Sequence, residues 1–146
     1  MKHKRLKPLT YAQTIRFHGH NGPFLALGYR LGEHVNTTLK PKGIMEYHIT
    51  VYVRKEKPFT CVIDGLQCAT FATTGKGNIQ VKKRKEPGIR VKIVTAKRRL
   101  TFTSTTRALT LCHGQKDLER AASAVFKERF ESLWNQDDQV AAQKAR

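Results

Sequence analysis

Acidic residues are in short supply in this chain. Its 146 residues hold 11 Asp and Glu against 28 Lys and Arg, a formal charge of +17. A field of that size favours polyanionic partners such as nucleic acid, an acidic cofactor or an anionic membrane surface, and a solvated basic surface that aids solubility fits it equally well. Cysteine is scarce too. Cys61, Cys68 and Cys112 are odd in number and no two are spaced CxxC, which excludes a four-cysteine zinc ribbon and argues against a disulfide framework. They read as reduced thiols or metal ligands. No apolar run approaches the roughly 20 residues that span a bilayer. The basic start, Met1 to Pro8, lacks the apolar stretch of a secretory signal, so a cytoplasmic location is expected. GxSxG, HExxH, the Rossmann glycine pattern and zinc-finger spacing are all missing, as are internal repeats and low-complexity linkers.

What is present suits one folded domain. A hydrophobic content of 39% and a charged content of 27% are ordinary for a packed chain of this length. Residues 1–9 form a basic arm in which little order is expected. Thr10 can cap a short helix, Tyr11 to Phe17, that Gly19 stops. A second helix starts near Pro23, with Asn21 or Gly22 as its cap, and runs to about Val35 or Thr38. On it Phe24, Leu27, Leu31 and Val35 recur at helical spacing, and Gly28 and Gly32 would let another backbone come close. Ile44 to Arg54 alternates as a half-buried strand. Within Phe59 to Thr73 a buried helix is expected, with Asp64 and Gln67 three apart on one face.

Three short strands, Ile79 to Lys83, Ile89 to Thr95 and Leu100 to Thr103, are then separated by turns and suggest an antiparallel meander rich in Lys and Arg. Ser104 to Cys112 suits a short helix ended by Gly114. From Gln115 to Trp134 an apolar stripe on a charged background predicts one amphipathic helix, whose aromatics can pack on their own core or on a second subunit. Residues 137–146 read as a polar tail. The sum is an α+β fold: a mostly antiparallel sheet packed with helices, a buried central helix among them, plus the C-terminal helix.

Chemistry concentrates in Phe17-His18-Gly19-His20-Asn21-Gly22-Pro23. Two imidazoles and the free N–H groups of a helix start converge there, which suits a metal, an anion or both. Two histidines supply half of a zinc shell, and Cys61, Cys68 and Asp64 are candidates for completing it. A plain structural turn is the competing reading. Thr73-Thr74-Gly75-Lys76-Gly77-Asn78 is too short for a P-loop, but its glycines and Lys76 could form an anion-binding nest; a simple helix-to-strand connection is the alternative. Asp64 and Gln67 could orient a histidine or touch a ligand. Cys61 with His20 could also be a nucleophile–base pair.

Taken together, FHGHNGPFLALGYRLG followed by CVIDGLQCATFATTGKGN resembles the FmdE family, which takes its name from formylmethanofuran dehydrogenase, over roughly residues 11–112. The resemblance implies an α+β domain over 10–114, followed by the helix of 115–136 for core or dimer packing. It also implies a metal-associated site where the two blocks meet. The implied metal ligands are His18, His20 and Cys61, holding zinc or another divalent transition metal. The implied ligand-binding residues are His18, His20, Asn21, Asp64, Gln67, Thr74, Gly75, Lys76, Gly77 and Asn78. Family members commonly carry a cysteine just before the proline of the turn, where this chain has Gly22, and the family's C-terminal zinc finger has no counterpart here. No molybdopterin site is visible.

The expected role is therefore an accessory subunit or small enzyme of formylmethanofuran-type one-carbon metabolism. It would be a homodimer that binds an anionic cofactor or other enzyme subunits. A nucleic-acid-binding module using Lys82 to Arg99, and an inactive dimeric scaffold, are the competing functions.

Overall fold

Local signals set the first turn of structure. A computed structural model describes residues 7–140. The first six residues of the basic arm and residues 141–146 of the expected tail lie outside it. In α1, Tyr11–His18, Thr10 Oγ1 accepts the Gln13 N–H at 3.2 Å and the Gln13 side chain accepts the Thr10 N–H at 2.9 Å, a complete capping box. Gly19 ends the helix in the left-handed region at φ 104°, where a side chain would be strained. Gly22 caps α2, Pro23–Leu39, and Pro23 occupies its first turn. Every residue from Pro23 to Tyr29 is buried, so the first half of α2 is the hub of the core.

Strand β1, His48–Val53, buries alternate residues, and α3, Cys61–Ala69, follows it. The strands β2, Ile79–Lys83, β3, Arg90–Val94, and β4, Arg98–Ser104, come next. After α4, Thr106–His113, α5, Leu118–Lys127, and α6, Phe130–Leu133, the chain returns to the sheet as β5, Trp134–Val140. The five strands lie in the order β2-β1-β3-β4-β5. Helices cover one face, where Ile49, Val51, Val91, Ile93, Leu100 and Phe102 join Leu27, Leu31 and Val35 in one apolar cluster.

The α+β architecture stands, and three expectations within it are corrected. The meander is not formed: β2 pairs with β1, in parallel, and β1 lies between β2 and β3. The physical reason is the connection between β1 and β2, long enough to hold α3 and so to return the chain in the same direction. The single helix expected from Gln115 to Trp134 is broken near Glu128. There the Arg30 guanidinium donates to the carbonyls of Val125 at 2.8 Å, Phe126 at 3.3 Å and Glu128 at 2.6 Å, satisfying the acceptors that a continued helix would have used. Trp134 is then 2% exposed, and residues 134–140, spanning the end of the expected helix and the start of the expected polar tail, form a strand antiparallel to β4. The aromatics of this region serve the chain's own core. Phe126 packs edge-on against Tyr11, and Phe130 stacks on His34 at 3.8 Å.

Helices α2 and α3 meet backbone to backbone. A Cβ on Gly28 would lie 2.1 Å from the Val62 carbonyl oxygen, and one on Gly65 would lie 2.3 Å from that of Leu25. A Cβ on Gly32 would come within 2.6 Å of the Ala69 Cβ. The far end of the pair is tied by a polar cluster: Tyr47 Oη donates to Asn36 Oδ1 at 2.6 Å and accepts the Phe71 N–H at 2.9 Å, while Asn36 Nδ2 donates to the Ala69 carbonyl. Gly65→Ala is expected to cost about 3 kcal/mol, because backbone rather than a flexible side chain would have to yield. Gly43→Ala, which meets nothing within 4 Å, should stay within about 0.5 kcal/mol of wild type. Urea unfolding midpoints of the two variants measure this directly.

Candidate metal centre

The turn between α1 and α2 is braced from below. Tyr11 Oη donates to Asn21 Oδ1 at 2.7 Å, and burial holds the Tyr11 hydroxyl well above its ordinary pKa. Asn21 thus ties the turn to the first residue of α1. His18 ends α1 and His20 follows the reversal at Gly19, so both rings emerge on the same side, their centroids 4.6 Å apart.

A chain of hydrogen bonds fixes the His18 ring. Its Nδ1–H donates to Asp64 Oδ2 at 2.6 Å, and in the neutral ring that leaves the Nε2 lone pair facing His20 Nε2, 3.1 Å away. Asp64 is itself oriented by Gln67, whose Nε2 donates to Oδ1 at 3.4 Å and whose Oε1 accepts the Thr74 N–H at 2.9 Å. The order is therefore loop, amide, carboxylate, imidazole. A carboxylate on the far nitrogen of a ligating histidine fixes its tautomer and raises its basicity.

Cys61 completes the cluster. Among the described residues, one donor atom from each of His18, His20 and Cys61 lies within 4.8 Å of the others. Tetrahedral zinc with bonds of about 2.0–2.1 Å to nitrogen needs its two imidazole nitrogens about 3.3 Å apart, and the 3.1 Å between the two Nε2 atoms is close to that. Two imidazoles and a soft sulfur also suit zinc by donor type. The thiol is buried, and burial first, then the neighbouring Asp64 charge, push it above its ordinary pKa, with Lys57 acting the other way. The thiolate is the form that acts both as nucleophile and as metal ligand, so a metal at this cluster would have to displace the Cys61 proton as it binds.

The remaining site candidates are distributed around this cluster. Cys68, also buried, stays outside the cluster, and burial pushes its thiol above the ordinary pKa. Asn78 is 1% exposed; it accepts the Thr73 N–H and donates to the Ile44 carbonyl, which spends its amide on the fold. Lys76 Nζ donates to Thr73 Oγ1 at 2.9 Å. Gly77 adopts φ 75° and its N–H bonds the Thr74 carbonyl, while Gly75 is open to solvent. The loop therefore reaches the histidines through Thr74 and Gln67. At Gly22 a Cβ would lie 2.9 Å from His20 Cε1, so the missing side chain is the space that the ring fills.

A cavity of about 230 Å³ opens on the same cluster, with His20, Phe24, Cys61, His113 and Lys116 among its lining residues. His113 ends α4 and packs edge-on against Phe24 at 5.3 Å. Neither His113 nor Lys116 is singled out by sequence reasoning. The available signal was the repetition of His-Gly at a helix end, His18-Gly19 and His113-Gly114.

With this geometry in view, comparison with known proteins defines the class. Residues 17–146 match the family described as FmdE, Molybdenum formylmethanofuran dehydrogenase operon, and the chain belongs to that family. The match extends beyond residue 112 through the C-terminal helices and β5. No curated protein matches the chain.

The three thiols offer a check on the core around the site. Burial pushes Cys112 up to about 12 from an ordinary 9.0, which leaves on the order of a thousand-fold fewer thiolates than in the unfolded chain. At pH 8 an alkylating reagent should modify Cys112 at a rate set by unfolding, and denaturant should release all three thiols together. Mass spectrometry of time-quenched samples reads both.

Proposed function

We propose that this chain is a metal-binding domain in which His18, His20 and Cys61 hold one divalent transition metal, with zinc the best fit. It would serve as an accessory subunit or small enzyme of formylmethanofuran-type one-carbon metabolism. The observation that carries the metal reading is the convergence of the three donor atoms within 4.8 Å, and membership of the FmdE family carries the metabolic context.

A bound divalent metal would supply Lewis acidity and one open position, because three protein ligands leave the fourth free. The chain's own residues do the rest. Asp64 keeps the His18 proton on Nδ1, so that Nε2 is available, and Gln67 holds Asp64 against the Thr74 backbone. The neighbouring cavity, apolar at Phe24, Leu25 and Leu118 and basic at Lys116, suits a small ligand with an anionic end. The donor set of imidazole and thiol does not resemble a molybdenum–pterin site, so the redox chemistry named in the family description would belong to other subunits.

Elemental analysis of the purified protein is expected to find about one transition metal per chain. His18→Ala, His20→Ala and Cys61→Ser should each abolish it, and Asp64→Asn should weaken it by about 10–100-fold. A wild-type protein that binds no transition metal after dialysis against zinc, or variants that bind as much as wild type, would remove the metal from this reading.

A further inference from the structure

The face of the sheet opposite the helices carries a second site. Its side chains alternate with the buried ones, and none is buried itself. Register places them in rows across the strands. In one row Lys82, Tyr52 and Arg90 are neighbours on β2, β1 and β3, followed by Thr103 and Asn135. In the next row Lys92 lies between Thr50 and Thr101. In a third, Arg99 faces Val94, itself 37% exposed. Three cations, Lys82, Arg90 and Lys92, thus neighbour one aromatic ring, Arg99 extends the basic surface two strands away, and Asp137, on the far edge strand opposite Thr101, is the acid of these rows.

The basic character continues past the end of β2. Lys83, Arg84 and Lys85 join Tyr52, Arg90 and Lys92 around a depression of about 390 Å³. Glu86 is the acid there, and its carboxylate forms an ion pair with Arg84, Oε2 standing 3.7 Å from Nε. Arg84 Nε–H and Arg99 Nε–H are both out of contact with solvent and have no acceptor among the described residues. Lys92 Nζ lies 5.3 Å from the centre of the Tyr52 ring.

We propose that this face binds single-stranded nucleic acid. Open sheets bind unpaired bases by stacking them on a surface aromatic while cations follow the phosphates. Tyr52 is the stacking ring. Lys82, Arg90, Lys92 and Arg99 are the phosphate contacts, and Lys83 and Lys85 add positive charge at the depression beside them. Lys92 leaves the ring for a phosphate when a base takes its place. A second copy of this chain is a poor occupant, because a two-fold interface would set this basic face against itself. A duplex leaves the ring unused.

The site is independent of the metal centre, and its test is too. Fluorescence anisotropy of a labelled single-stranded 12-mer should give micromolar binding at 0.15 M salt, tighter than for the matching duplex. The slope of log K against log salt should be about −3, as four phosphate contacts on a single strand require. Tyr52→Leu should weaken binding about ten-fold or more and leave metal content unchanged. Arg90→Glu/Lys92→Glu should abolish binding, whereas Lys40→Glu/Lys127→Glu, an equal change of charge away from this face, should retain most of it. The proposal is overturned by any of four results: no binding at 0.15 M salt; duplex and single strand bound alike with Tyr52→Leu silent; the two charge-reversal pairs equivalent; or a wild-type dimer, seen by sedimentation, that Arg90→Glu/Lys92→Glu dissociates. If anionic vesicles bind with the same variant pattern and the oligonucleotide does not, the face belongs to a membrane surface and the proposal fails as well.

Discussion

The contact on which the rest of this structure depends is the backbone approach of α2 and α3. Helix α3 has nine residues, too few to hold a position by helix propensity alone. It is fixed because Gly28 and Gly65 remove the side chains that would otherwise separate the two helices. The consequence for the site is direct. Gly65 sits against Leu25 and Tyr29, within the first two turns of α2, and its neighbour Asp64 is thereby held over the turn that precedes those turns. Cys61, one helical turn earlier on α3, arrives at the same place. Packing and chemistry share these few residues, so a change that separates the helices would also separate carboxylate and thiol from the histidines.

Much of this was legible in the chain itself, because it was written in local signals. Thr10 marks a helix start by its side-chain cap and Gly19 and Pro23 mark an end and a start by their backbone preferences, and the α1 and α2 boundaries fall at them. The pairing of the FHGH turn with Cys61 and Asp64 was legible through family resemblance, and the geometry brings those groups together. What local signals could not express was partnership over distance. The neighbour of β2 is β1 because α3 crosses between them, and nothing in IQVKK itself says so. The break near Glu128 depends on Arg30, almost a hundred residues earlier, whose guanidinium takes the carbonyls at the end of α5. The polarity beyond residue 136 suggested a tail, yet an edge strand with one open face tolerates polar residues, and Trp134 anchors it.

The two sides of the sheet divide the composition between them. The helical side holds the apolar cluster and the histidine–thiol centre. The open side holds cations in register, with few acids to neutralise them. A high positive charge spread evenly would be a statement about solubility, whereas cations aligned in rows around one tyrosine are a statement about a surface. Separation by a whole layer of sheet also means that a ligand on either side need not disturb the other.

Gly22 is where the two halves of the argument about the metal centre meet. The family resemblance implies a cysteine at this point of the turn, where this chain has Gly22. Here a Cβ at residue 22 would come within 2.9 Å of the His20 ring, so His20 occupies its place because residue 22 has no side chain. The glycine is thus more than a lost ligand. It leaves room for the conformation in which His20 Nε2 faces His18 Nε2, with the Cys61 sulfur as the third nearby donor atom. Were a metal held by these three donors, a position would remain for a ligand, and the cavity that His20 and Cys61 line adjoins the cluster.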